Sequence, residues 1–260
     1  MAARVTRYID TVDVAGIAFQ LSCRFPKPSF WARRHPAFIA HRRPDVVVGI
    51  EYAERFRGRA GRPVADTVAD AADVRRRGRG LIVSTGYYRA AVDASRGRVA
   101  VKMAAGFEVG GLMRTLAALR LLERETLLIH GACFGPAASA TLACGIPDRA
   151  TPPSAIAGWL AVTPRPGGVC VRLTPFVDVD GPLGASVLRA TTLHLAGAHA
   201  GTRSVGPAMA LRALLPSIWQ ADRRRPAVER TLDLATRLVI ALRCREIGAG
   251  DPARKEAAVG

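Results

Sequence analysis

The sequence predicts an α/β fold with a β-rich N-terminal part, a mixed core and helices at its C-terminal end. Three observations carry this. Up to residue 109 the apolar residues fall in short β-branched runs punctuated by glycine turns. From Gly110 the apolar spacing switches to a helical repeat, then returns to strands. Near the C-terminus two further stretches carry apolar residues at helical spacing behind prolines. The division expected is residues 1–109, residues 110–247 and a disordered tail, 248–260.

Taken in order, "TVDVAGIAFQLSC" reads as a strand, a turn at Gly16 and a second strand. "RFPKPSFWARRHP" is rich in proline and arginine and reads as a loop, and "PDVVVGIEYAE" as another β-branched strand. Residues 57–80 have few large apolar side chains and suit a mobile surface excursion with a short helix around Val64 to Val74. "GLIVSTGYYRAAVDASRGRVAVKMA" resumes paired strands, with "ASRGR" as a hairpin turn. In "VGGLMRTLAALRLLERE" Leu112, Met113, Leu116, Leu119 and Leu122 share one helical face. "TLLIHGACFG" is apolar enough for a strand buried on both faces, and "GGVCVRLTPFVDVDG" supplies one or two more strands. "VGPAMALRALLP" is a short helix between Pro207 and Pro216. "PAVERTLDLATRLVIALRCREI" places Val228, Leu232, Ala235, Val239 and Leu242 on one stripe of a helix that starts near Pro226.

Composition bounds the function. With 49% hydrophobic and 23% charged residues among 260, the chain can build a packed core. Its net charge is +17, and only Lys27, Lys102 and Lys255 among the 38 basic residues are lysines. Such a field attracts nucleic acid or acidic partners. GC-rich coding, which raises Arg, Ala, Gly and Pro together, explains it more simply. The arginines are scattered over several segments rather than gathered on one helix with aromatics between them, so nucleic acid is not the favoured partner. The five cysteines lie far apart without a CxxC pair, which suits a reducing compartment. The N-terminus carries Asp10 and Asp13 where a signal peptide would be apolar, and there is no run of about 18 apolar residues, so a cytoplasmic, non-membrane protein is expected.

The chemistry centres on "LLIHGACFGPAASATLACGIPDRATPPSAIAGW", residues 127–159. Two strands followed by a glycine turn form the frame of a phosphate-binding loop. Such a loop uses G-x-x-x-x-G-K-[ST]: glycines let backbone N–H groups curl around phosphate, lysine adds charge and the hydroxyl binds magnesium. With Gly145 as the first glycine, the later positions are Ala150, Thr151 and Pro152. Loss of the lysine removes a charged hydrogen bond worth roughly 1.5–3 kcal/mol, and Pro152 and Pro153 lack N–H donors. Arg149 could supply charge from a different position. His130, at a strand end, is either a proton shuttle or phosphate contact, or a histidine satisfied by a nearby carbonyl. Asp178 and Asp180 alternate at a strand end and could hold magnesium, although a solvated turn is the commoner meaning. His194 and His199 are too irregularly placed to suggest a metal, and nothing marks Cys133 or Cys144 as an activated thiolate.

In order and spacing these segments resemble the HPr serine kinase group, whose nucleotide-binding core is shared with phosphoenolpyruvate carboxykinase. The resemblance runs from about residue 90 to 247. It rests on the helix and strand "GGLMRTLAALRLLERETLLIHGA", the glycine turn, "GGVCVRLTPF" and the helical end with its turn at Pro216 and Trp219. It implies a phosphoenolpyruvate carboxykinase-like P-loop core. It also implies an ATP- and magnesium-dependent serine kinase of a peptide or small protein, with His130 on the family's strand-end histidine. Gly145 falls on its first loop glycine, and Arg149, Thr151 and Ser154 lie where nucleotide contacts would be sought. The departures point elsewhere. The loop's active residues are replaced, and "SAIAGWLAV", which alone separates the loop from the next strands, holds no acid where the family places its base and metal ligand. The expectation is a degenerate kinase that binds a peptide or protein partner, with ATP and magnesium as cofactors if it is active and otherwise none required. An active kinase and a nucleic-acid-binding protein are the alternatives, and self-association stays open.

Overall fold

The computed structural model describes residues 7–24, 36–53, 72–78, 80–93, 95–104, 109–145, 154–178, 187–197 and 201–248. Among these residues it is an α/β protein with two mixed sheets and three helices, mostly strands. Two compact units divide within the first helix: residues 1–119 with 220–224, and residues 120–219 with 225–260.

The first unit holds seven strands: β1 (Arg7–Val14), β2 (Ile17–Arg24), β3 (Val46–Ala53), β4 (Asp73–Arg77), β5 (Gly80–Ser84), β6 (Tyr88–Asp93) and β7 (Arg98–Ala104). Their order in the sheet is β1-β2-β3-β7-β6-β5-β4, with β3 parallel to both β2 and β7. The expected β1–β2 hairpin forms. Ala15 and Gly16 both have positive φ, 53° and 88°, as a tight turn between twisted strands requires. The Gly16 N–H donates to Asp13 Oδ1 at 2.6 Å. Burial alternates along β6 and β7, so this sheet has one buried and one open face. Val48, Val99, Val101 and Met103 lie on the buried face. Helix α1 (Gly110–Glu123) begins in this unit, where the Tyr88 hydroxyl donates to Thr115 Oγ1 at 3.1 Å.

The segment from 57 to 80 departs from expectation where it is described. Asp73–Arg77 is an edge strand, so the helix expected to reach Val74 does not extend there; residues 54–71 lie outside the described residues. In α1 the buried positions are Leu112, Met113, Thr115, Leu116, Ala117, Ala118 and Leu121, while Leu119 and Leu122 are half-buried.

The second unit contains β8 (Leu127–Phe134), β9 (Ala140–Cys144), β10 (Ile156–Arg165), β11 (Gly168–Arg172), β12 (Val177–Asp178), β13 (Val187–Gly197), β14 (Thr202–Ser204) and β15 (Arg243–Gly248). The order is β11-β10-β8-β9-β13-β15-β14, with β12 alongside β10. Strands β9, β13 and β15 run parallel to one another, and β8 and β10 are antiparallel to their neighbours. The first half of β13 also pairs with β11, closing part of the sheet into a ring. One extra residue between Ala190 and Thr192 adjusts the register where β13 passes from β11 to β9.

Two helices complete this unit. Helix α2 (Pro207–Leu214) has its proline in the first turn, as expected, and runs into a 3-10 turn at Leu215–Ser217. Helix α3 (Arg225–Ala241) starts where Pro226 indicated. Its end corrects the sequence reading: Arg243–Gly248 is strand β15, not a continuation of the helix. The buried stripe is also rotated, to Thr231, Leu234, Ala235, Leu238 and Val239, leaving Leu232 38% exposed. The helix packs chiefly on α2 and β10, with further contacts to β8, β11 and β15.

Candidate functional site

The three parallel strands of the second unit end on one edge, each at a glycine. Leu195 of β13 pairs Cys144 of β9, and Gly197 of β13 pairs Gly248 of β15, so Gly145, Gly197 and Gly248 mark a common carboxyl edge. Loops that leave an ordered strand edge of this kind are common carriers of binding residues. Gly145 is exposed with φ +68°, a conformation glycine adopts without the penalty a side chain would incur.

Strand β8 delivers His130 to this edge. Gly131 pairs Cys144, so His130 lies one residue beyond the ladder, beside Gly145. Gly131 is itself required by close approach, because a Cβ there would meet the Ala143 carbonyl oxygen at 2.3 Å. His130 is exposed, and its ring lies 4.9 Å from that of Trp159, its cross-strand partner on β10. Trp159 meets Trp219 edge-on at 5.0 Å. The tryptophans are held from several sides. The Trp219 N–H donates to the Leu128 carbonyl at 2.8 Å, and Ile218 bridges Ile129. The buried Thr174 hydroxyl donates to the Trp159 carbonyl. The Pro216–Trp219 turn singled out in the sequence is thus a brace for the strand that carries His130.

Farther along the same face, Phe134 and His194 approach edge-on at 6.2 Å, and His194 pairs Arg245 in register. Burial, and secondarily the Arg245 charge, hold the His194 imidazole below its ordinary value. On the opposite, closed face, burial pushes the Cys133 and Cys144 thiols up to about 12, so neither is a nucleophile near neutral pH.

Of the residues singled out in the sequence, His130 and Gly145 are brought together. Ser154 is exposed in the turn before β10. Arg149, Ala150, Thr151, Pro152, Asp180 and His199 lie outside the described residues. The backbone of Asp178 pairs with Ala157 of β10, and Ala157 with Ala132 of β8. Three strand spacings, about 14 Å along the sheet, therefore separate its backbone from β9. Strands β8, β9 and β10 carry no carboxylate. Among the described residues no three His, Cys, Asp or Glu side chains are grouped to hold a metal ion. Among the described helices none is long and apolar enough to cross a membrane. Sequence reasoning missed His194 as a member of this face. The signal was alternation along "TTLHLAG", half hidden by the register shift beside it.

No protein-family model matches the chain, and no curated protein matches it.

Proposed function

We propose that the chain is a catalytically degenerate member of the HPr serine kinase group, with a phosphoenolpyruvate carboxykinase-like core, that works as a binding or scaffold protein for a peptide or protein partner. One observation carries the reading: His130 and Gly145 share the carboxyl edge of the parallel strands, while β10, the next strand after the loop, holds no carboxylate. The first half of that observation supports the kinase frame, and the second supports its loss of chemistry.

Phosphoryl transfer to a serine hydroxyl needs a positioned base, worth about 10²–10⁴-fold in rate, and a magnesium clamp on the phosphates. His130 could accept a proton, yet the loop has Thr151 for the lysine and Pro152 for the magnesium hydroxyl. The loop sequence therefore does not fit magnesium–ATP. What remains is an exposed histidine, exposed strand-end backbone and a braced aromatic pair, which suit binding better than group transfer. The test is to incubate purified protein with ATP, magnesium and a serine-containing peptide library. No phosphoserine is expected. Phosphorylation that disappears in His130→Ala would establish an active kinase instead.

A further inference from the structure

We propose that the open face of the seven-stranded sheet in the first unit is a docking groove for an extended acidic peptide segment. The proposal stands on this unit's own observations and goes beyond the reading of the second unit's edge.

The groove encloses about 690 Å³. Its floor is a cross-strand row in which Ser22 pairs Gly49, Gly49 pairs Ala100, Ala100 pairs Ala91 and Ala91 pairs Ile82. In this row, three adjacent strands in the middle of the sheet present nothing larger than a methyl group. The row crosses four strand spacings, roughly 19 Å, the length of about six extended residues.

Its rim carries the charge. Two residues along the strands, on the same face, Glu51 pairs Lys102 and Lys102 pairs Arg89. Two cations directly opposite each other on a sheet repel. Arg77 stands at the β4 end. All four of these charged side chains are exposed, and none has an ion pair among the described residues. By contrast, Arg75 is paired with Asp73 and Arg96 with Asp93 on the same unit. A rim in which Arg77, Arg89 and Lys102 outnumber Glu51, around a shallow apolar floor, is complementary to carboxylates on an extended backbone. A single-stranded nucleic acid fits less well, because it calls for aromatic stacking platforms and this lining contains none.

The test uses the full chain and a fluorescein-labelled peptide of alternating Glu and Thr, about eight residues long, read by anisotropy. Binding is expected, and Arg89→Glu with Lys102→Glu should weaken it at least about tenfold. Ala100→Phe, which fills the floor at an exposed position, should weaken it similarly without altering charge. Arg165→Glu with Arg212→Glu makes the same change in net charge in the other unit and should leave binding intact; circular dichroism checks that each variant is folded. Absence of binding, equal loss in both charge-reversed pairs, or no effect of Ala100→Phe overturns the proposal. Tighter binding of a single-stranded oligonucleotide at the same groove would also overturn it, in favour of nucleic acid.

Discussion

His130 and His194 occupy the same face of one sheet and differ in what surrounds them. His130 is exposed against a tryptophan ring in the middle of β8, beside Gly145, and not at the strand end expected from the sequence. His194 is half-buried between Phe134 and the charge of Arg245. Its imidazole is held below the ordinary value of 6.5, so the unfolded chain takes up a proton more readily than the folded one. Stability from this group is complete above 6.5 and is lost as pH falls through the depressed folded value. The denaturation midpoint should therefore fall as pH drops below about 6.5, and His194→Gln should flatten that dependence. A variant with the same slope as the parent would show that His194 carries no such linkage. Position 130 was readable from the sequence because a histidine in an apolar run stands out. Position 194 was not, because Thr191, Thr192 and the following glycine obscure the alternation that makes β13 a strand.

Helix α3 and strand β15 show what periodicity conveys and where it stops. The start at Pro226 was evident, since proline fits the first turn of a helix and disrupts later ones. The end was not. "ALRCREI" has no glycine or proline until Gly248, and Leu242 keeps the helical spacing. Pairing with β13 and β14 draws Arg243–Gly248 into the sheet, a tertiary choice that local spacing does not encode. The stripe was also misplaced by one side. Leu234 and Leu238 are buried to 1% and 0% exposure, whereas Leu232 is on the outer flank. Leu238→Ala should cost about 2–5 kcal/mol, and Leu232→Ala under about 1 kcal/mol, in chemical denaturation. The reverse order would restore the stripe expected from the sequence. The short helix α2 was simpler, because Pro207 and Pro216 bracket it on both sides.

Across the chain, the alternation of strands, helix, strands and helices was legible, and so was the place of the candidate site. Gly145 follows a strand, His130 precedes it by fifteen positions, and antiparallel pairing of β8 with β9 folds that separation back onto one edge. The role of the net charge of +17 was not legible, because a charge total carries no address. Only the strand register shows that Arg89 and Lys102 stand side by side on an open face while other arginines are paired. Nucleotide affinity tests the proposed degeneracy of the loop before any partner is known. The most direct measurement is calorimetric titration of the purified protein with ATP and magnesium. No binding tighter than about 100 μM is the expected result; tighter binding that is abolished by Arg149→Ala would contradict it and mark the loop as a working nucleotide site.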